Sequence, residues 1–225
     1  MSIKLPNDYI SKQLISHGQY EWYVIEILER LAGGHSTGTV LDIGANQGTV
    51  TLSMAQLFPQ YQIHSFEIQP VMVATIQENL QLNDLTNVTV HAHGLGDVAK
   101  TVTLPQPDYH TSENAGAFSL NPKVWKHSDM SIGQGQDITV DLVTLDSMNF
   151  EHPIRCIKLD VEGYEQKVIE GALKTLKKHN YPPIVYELWG YNPWWNESAE
   201  QLRIMLNKLG YQIQQVDDTG IAIQA

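Results

Sequence analysis

Val40-Leu41-Asp42-Ile43-Gly44-Ala45-Asn46-Gln47-Gly48 reads as the end of a strand, a tight turn and the start of a helix. Val40–Ile43 is short and apolar, as a strand buried on both faces requires. Gly44 lets the chain turn sharply, and Gly48 lets the helix and a ligand come close to the backbone. The residues that follow confirm the switch in period. Val50, Met54, Leu57 and Phe58 fall on one helical face, and Pro59 ends the run.

Outward from this unit the chain alternates strands and helices. A helix is expected over Tyr9–Ala32, with Val24, Leu28 and Leu31 inward, closed by Gly33, Gly34 and Gly38. Gln62–Phe66 is a second strand. Pro70 opens a helix at the position where proline is tolerated, with Met72, Val73, Ile76 and Leu80 inward. Val88–His91 is a third strand. The rhythm then lapses for roughly sixty residues. Thr101–Leu104 and Ile138–Leu145 are extended in character, with a polar loop between them. A long irregular insert in a compact domain is usually functional or disordered. Ile154–Leu159 resumes the pattern as a strand. It leads to a helix carrying Ile169, Ala172, Leu173 and Leu176, then a strand at Pro183–Leu188 and a helix at Ser198–Leu209. Tyr211–Val216 and Ile221–Ile223 close the chain as a strand pair around Asp217–Gly220. This order predicts an α/β fold: a mostly parallel sheet with helices on both faces. The reading is one domain over 1–225, with an N-terminal helical segment at 1–38 and an insert or cap at 98–150.

Composition limits the partners. The net charge is −11 with histidine neutral, and 42% of residues are apolar. An acidic chain is a poor match for nucleic acid or an anionic membrane, both of which need clustered Lys and Arg. Lys174, Lys177 and Lys178 read as a solvated face near a helix end. The single cysteine, Cys156, excludes an intrachain disulfide and sits in an apolar strand, so it reads as core. With no signal-type run and no stretch near ~20 apolar residues, the cytoplasm is the expected compartment.

The glycines bear on the ligand. In open α/β sheets ligands bind at the carboxyl ends of the strands, where strand order reverses. A dinucleotide site asks for G-x-G-x-x-G, so that a pyrophosphate meets bare backbone. Here the pattern is Asp42-x-Gly44-x-x-x-Gly48, with Asn46 where the middle glycine would be. S-adenosylmethionine has no phosphate but a zwitterionic tail, which Asp42, Asn46 and turn amides can satisfy. Glu67, ending the second strand, suits the two hydroxyls of a ribose.

Val40–Thr49 resembles motif I of class I methyltransferases. Ile157-Lys158-Leu159-Asp160-Val161-Glu162-Gly163-Tyr164-Glu165 resembles the Ile-Lys-x-Asp-x-Glu-Gly-x-Glu signature of FkbM-type methyltransferases. Gly18-Gln19-Tyr20-Glu21, Asn114-x-Gly116-x-x-Ser119-Leu120 and Thr144-Leu145-Asp146 are similar to further pieces of that family. The resemblance runs from about residue 18 to 190. It implies a Rossmann-like class I fold with a seven-stranded sheet and a β-containing insert before the fourth strand. It also implies methyl transfer to oxygen, often on a sugar or secondary metabolite. It places Glu21, Ile68, Gly94, Leu95, Asn114 and Ser119 with Asp42, Gly44, Asn46, Gly48, Glu67 and Asp160 at the cofactor.

Candidate reacting residues follow from position. Asp160 leaves a buried strand, where a carboxylate needs a partner. Glu162 is expected at the start of the next helix, where its charge suits the dipole. Glu187 stands at the equivalent point of the following strand. Asp160 and Glu187 either include the general base or hold a divalent metal that acidifies the acceptor hydroxyl. His110, in the insert, is a further acid/base candidate. His91 and His93 read as packing or as a wall of the adenine site. The loop Trp189–Trp195, with three tryptophans, is expected to stack on a sugar or aromatic acceptor, or to make a contact in a homo-oligomer. Two other readings stand beside this one: an N-methyltransferase on the same fold, and a module that binds the nucleoside without turnover.

Overall fold

The computed structural model describes residues 9–18, 20–107, 118–121, 132–188 and 193–224. Two helices come first, α1 (Tyr9–His17) and α2 (Trp22–Ala32). The expected single helix is broken here. Gly18 and Glu21 both take left-handed backbone, at φ 73° and 51°, which no continuous helix accommodates. The central unit follows: β1 (Gly38–Ile43), α3 (Thr49–Leu57), β2 (Tyr61–Phe66), α4 (Pro70–Leu82) and β3 (Val88–His91). Pro70 starts α4 as expected.

The main sheet is completed by β7 (Ile154–Leu159), β8 (Ile184–Glu187), β9 (Tyr211–Val216) and β10 (Thr219–Gln224). Its order is β3-β2-β1-β7-β8-β10-β9, with every pairing parallel except those made by β10. Three helices cover the second half: α5 (Glu165–Glu170), α6 (Leu173–Lys178) and α7 (Pro193–Lys208). The fold is Rossmann-like α/β, as the sequence order predicts. Every residue of β1 is buried, and its side chains alternate between the two cores. Val40 packs with Leu28 of α2 and Met54 of α3, while Leu41 and Ile43 pack with Leu176, Leu202 and Leu206 on the opposite face. Cys156 is fully buried, consistent with a core role. Among the described residues no helix is long and apolar enough to cross a membrane.

The insert stands apart from the main sheet. β4 (Gly94–Leu95), β5 (Lys100–Pro107) and β6 (Ile132–Val143) form a second sheet in the order β4-β6-β5. β5 and β6 pair antiparallel from Lys100↔Leu142 to Pro107↔Ile132. A small core of its own, Leu104, Phe118 and Val140, packs against Ile68 beside β2. That contact sets the insert over one end of the main sheet.

The helix expected through Ile169 and Leu176 is also divided. Gly171 lies against the backbone of Gly96, and a Cβ there would fall 1.9 Å from the Gly96 carbonyl oxygen. The Gly171 carbonyl in turn accepts a hydrogen bond from Asp146 N at 2.9 Å. Backbone on backbone leaves little freedom to relax. Gly171→Ala is therefore expected to destabilise the protein by about 1–3 kcal/mol, lowering the thermal midpoint by about 3–10 °C in a calorimetric scan. An unchanged midpoint would mean that this contact is looser than drawn.

Candidate functional site

Strand order reverses between β1 and β7, and the carboxyl ends of β1, β2, β7 and β8 open onto one crevice. Two cavities meet there. The first encloses about 600 Å³ and is lined by Gly44, Glu67, Ile68, Gly94, Leu95 and Phe118, among others. The second encloses about 730 Å³ between α1 and the start of α3, with Tyr9, Tyr20, Glu21, Lys158 and Glu187 in its wall. Asn46, Asp160 and Glu162 line both.

The turn after β1 is shaped by contacts that exclude side chains. Gly44 has φ 81°, and a Cβ on it would lie 1.7 Å from the Asp160 carbonyl oxygen. Gly48, at φ 88°, has Ile76 of α4 at 2.9 Å from the same virtual atom. Asn46 is left-handed at φ 53°, a conformation that asparagine tolerates better than most residues. Gly44 N and Ala45 N both donate to the Phe66 carbonyl at 3.0 Å. The first turn is thereby tied to the end of β2.

Glu67 completes that tie. Its Oε2 accepts from Asn46 N at 2.8 Å, and its Oε1 accepts from Ile68 N at 2.9 Å and Gln69 N at 2.8 Å. Burial pushes its pKa up to about 7, against these three amides. Glu67 lines the first cavity as a ribose ligand should, while also bracing the loops around it. Ile68, Gly94 and Leu95 share that wall. A Cβ on Gly94 would press on Leu142 at 2.5 Å and Ile68 at 2.8 Å, so glycine sets the wall's thickness.

Asp42 is placed differently from the sequence reading. It is fully buried beneath the turn. Oδ2 accepts from Thr51 Oγ1 at 2.5 Å, and Oδ1 lies 4.0 Å from Lys158 Nζ. Strand alternation turns this side chain under the βα turn, where it anchors α3 and is absent from the cavity wall.

Glu162 is corrected as well. The helix begins only at Glu165, and Glu162 sits three residues earlier in a left-handed turn at φ 54°. Glu165 does the work expected of a helix-start acid. Its Oε1 accepts from Val161 N and Gly163 N, each at 3.1 Å. Ser119, buried, donates through Oγ to the Glu162 carbonyl, and Asn121 Nδ2 donates to the Gly163 carbonyl at 3.2 Å. The insert is thereby fastened to the signature loop. Burial, then repulsion from Asp160 and Glu165, raises the Glu162 pKa.

The sequence reading assigned no role to Lys158. This lysine is buried at the end of β7, with Nζ 3.0 Å from Asp160 Oδ2 and 3.2 Å from the Gly44 carbonyl oxygen. Burial opposes its charge, but Asp160, Asp42 and Glu21 outweigh that and hold it above the usual lysine range. Burial lifts Glu21 to about 7, opposed by Lys158 and assisted by Asp160 and Asp42. A lysine in an otherwise apolar strand, two residues before an aspartate, was the available signal.

One oxygen each of Asp160, Glu162 and Glu187 lie within 4.8 Å of one another. Asp160 Oδ1 is buried and accepts no hydrogen bond from the described residues. His91 and His93 are not part of this group. His91 stacks on Phe66 at 4.5 Å between ring centres and shares a hydrogen bond with His64 at 2.9 Å. Burial lowers its pKa to about 4. His110, Asn114 and residues 189–192 of the aromatic loop lie outside the described residues.

The model of the methyltransferase FkbM domain matches residues 42–213, most of the chain. The chain belongs to the FkbM methyltransferase family. It is 30% identical over 142 residues to Methyltransferase 1 of Beauveria bassiana, an alignment covering 59% of this chain and 57% of that protein. It is 30% identical over 158 residues to the 2-O-methyltransferase NoeI of Sinorhizobium fredii, covering 63% and 60%. The chain thus spans under two thirds of the length of these relatives. A crystal structure of precorrin-6y C5,15-methyltransferase from Geobacter metallireducens superposes over 99% of this chain and 98% of that one. Its TM-score is 0.55 at 14% identity, which supports the fold.

Burial also raises Glu165 from its ordinary 4.5 to about 7. The folded state then holds this proton more tightly than the unfolded chain does. The resulting stability is fully present below about pH 4.5 and is lost as pH rises through 7. Glu165→Gln keeps an acceptor for Val161 and Gly163 but cannot titrate. Urea unfolding of both proteins should show the native advantage over the variant shrinking by on the order of 1–3 kcal/mol between pH 4.5 and 7. A pH-independent difference would refute the burial argument.

Proposed function

We propose that this FkbM-family methyltransferase moves the methyl group of S-adenosylmethionine to a hydroxyl oxygen on a small molecule or sugar, with Asp160 taking the hydroxyl proton. The observation that carries this reading is Asp160 itself. It stands where the two cavities meet, and its buried Oδ1 has no hydrogen-bond donor among the described residues. A buried carboxylate oxygen left in that state costs free energy, and an acceptor hydroxyl would remove the cost.

The residues present fit this cofactor. The first cavity combines an apolar wall with few polar groups. Glu67 is in its wall for ribose hydroxyls, and the Asn46 side chain is available for the amino-acid tail, the Gly44, Ala45 and Asn46 amides being already bonded within the protein. When bound, S-adenosylmethionine supplies an electrophilic methyl carbon. The chain's own part is to orient the acceptor oxygen, receive its proton at Asp160 Oδ1 and exclude water. Tyr9 and Tyr20, with ring centres 6.5 Å apart, give the second cavity an aromatic wall beside its carboxylates. Aromatic rings with carboxylates suit the mixed C–H and O–H faces of a sugar. The name of the NoeI relative, a 2-O-methyltransferase, favours oxygen over nitrogen as acceptor atom. A net charge of −11 disfavours nucleic acid and anionic membrane as partners.

A second reading has its own observation. The oxygens of Asp160, Glu162 and Glu187 are close enough to share a divalent cation, and oxygen donors suit Mg²⁺ or Mn²⁺. Lys158, 3.0 Å from Asp160, already neutralises part of that charge, so the general-base reading is preferred.

The test is Asp160→Asn. S-adenosylhomocysteine affinity by titration calorimetry should stay within a few-fold, while turnover on a hydroxyl acceptor falls by ~10²-fold or more. Turnover near normal would sink the assignment. A chelator that abolishes native turnover, reversed by Mg²⁺, would move the reading to the metal. Separately, Glu67→Ala should weaken S-adenosylhomocysteine binding by ~10- to 100-fold, the range for hydrogen bonds to a charged group.

A further inference from the structure

Lys158 holds three things at once. Its Nζ bonds Asp160 Oδ2 at 3.0 Å, bonds the Gly44 carbonyl at 3.2 Å and faces Asp42 Oδ1 at 4.0 Å. Asp42 is in turn bonded to Thr51 of α3. The two shorter contacts matter most. They join the glycine turn that lines the first cavity to the carboxylate shared by both cavities. A lysine present only to neutralise Asp42 would have been served by a contact closer than 4.0 Å and would have no need to reach the Gly44 carbonyl. Burying an ammonium is costly, and a strand interior offers cheaper residues. The backbone on either side is equally constrained: Asp160 N donates to the Ile43 carbonyl at 2.9 Å, and Gly44 has no room for a Cβ.

We propose that Lys158 is a positioning residue for methyl transfer: by fixing Asp160 Oδ2 against the Gly44 turn, it aims Asp160 Oδ1 at the acceptor. This rests on Asp160 being the base. The carboxyl group has two rotational freedoms, and one oxygen anchored by an ammonium removes most of them. The second oxygen is then held where the cavities meet, with no competing donor among the described residues. An error of ~1 Å in such a group can cost ~10²-fold in rate. Lys158 reaches the reaction through Asp160, so its replacement should lower kcat and leave the acceptor KM and cofactor affinity nearly unchanged.

Lys158→Met alone leaves Asp42 and Asp160 without their shared cation and can fail to fold. The informative protein is therefore Lys158→Met/Asp42→Asn, in which the deepest carboxylate loses its charge together with the ammonium. Thermal melting and S-adenosylhomocysteine titration establish that it is folded and binds within a few-fold of native. Its kcat on a hydroxyl acceptor is expected to fall ~10- to 100-fold with the acceptor KM within about three-fold. The decisive comparison adds the same two changes to Asp160→Asn. If Lys158 acts through Asp160, kcat falls no further. Losses that multiply across the two sets would overturn the proposal, as would a folded Lys158→Met/Asp42→Asn enzyme with native kcat. If Asp160→Asn alone retains full turnover, the base assignment fails first, and the positioning role fails with it.

Discussion

Charge balance at the ends of β1 and β7 is the constraint from which the site takes its form. Asp42, Asp160, Glu21, Glu162 and Glu187 converge there, and Lys158 is the ammonium set among them. Bringing so many carboxylates out of water is unfavourable unless each finds a donor or a proton. The structure meets the demand in three ways. Lys158 answers Asp160 and Asp42, backbone amides answer Glu67 and Glu165, and burial raises the pKa values of Glu21, Glu67 and Glu165 to about 7. Each device is also a positional restraint. The amides that satisfy Glu67 belong to Asn46, Ile68 and Gln69, so the acid that rims the first cavity also fixes the loops that build it.

Close backbone packing is the second organising feature, and it explains where glycine is required. Gly44 meets the Asp160 carbonyl, and Gly171 meets the Gly96 carbonyl. The first contact brings the glycine turn after β1 to the end of β7. The second brings the helical layer to the root of the insert. With Ser119 and Asn121 bonded to the carbonyls of Glu162 and Gly163, the insert is attached to the same loop from above. The cavities are therefore bounded by segments distant in sequence but joined by main-chain contacts that side chains cannot easily mimic.

Much of this was legible from residue patterns, for physical reasons. Short, mostly apolar runs bounded by turns, such as Val40–Ile43 and Ile154–Leu159, suit strands buried on both faces, and Pro70 suits the first position of its helix. Local periodicity is blind to left-handed turns on residues other than glycine. Glu21 at φ 51° divides the first helix, and Glu162 at φ 54° keeps its side chain off the helix start that it was expected to occupy. The division at Gly171 depends on Gly96, far away in the chain, so no window of sequence contains its cause. Asp42 looked like a ligand because it sits in the right motif. Strand alternation decides which way it points, and the partner that holds it, Lys158, is more than a hundred residues away.

Strand pairing gives Lys158 and Asp42 their relation. Lys158 is in β7 and Asp160 follows its last residue, two positions on, while β1 runs alongside in parallel register with Asp42 opposite Lys158. Asp42 and Lys158 are therefore brought together by pairing, and Asp160, the residue after β7, is held beside them by its amide bond to the Ile43 carbonyl. Strand pairing of this kind is held by the whole sheet, which makes it a stiffer support than a loop could offer. A carboxylate expected to accept a proton within a narrow geometric tolerance is thus anchored, through Lys158, to a central strand of the sheet. Around it, α1 and the insert border the two cavities through Tyr9, Ile10, Phe118 and Leu120.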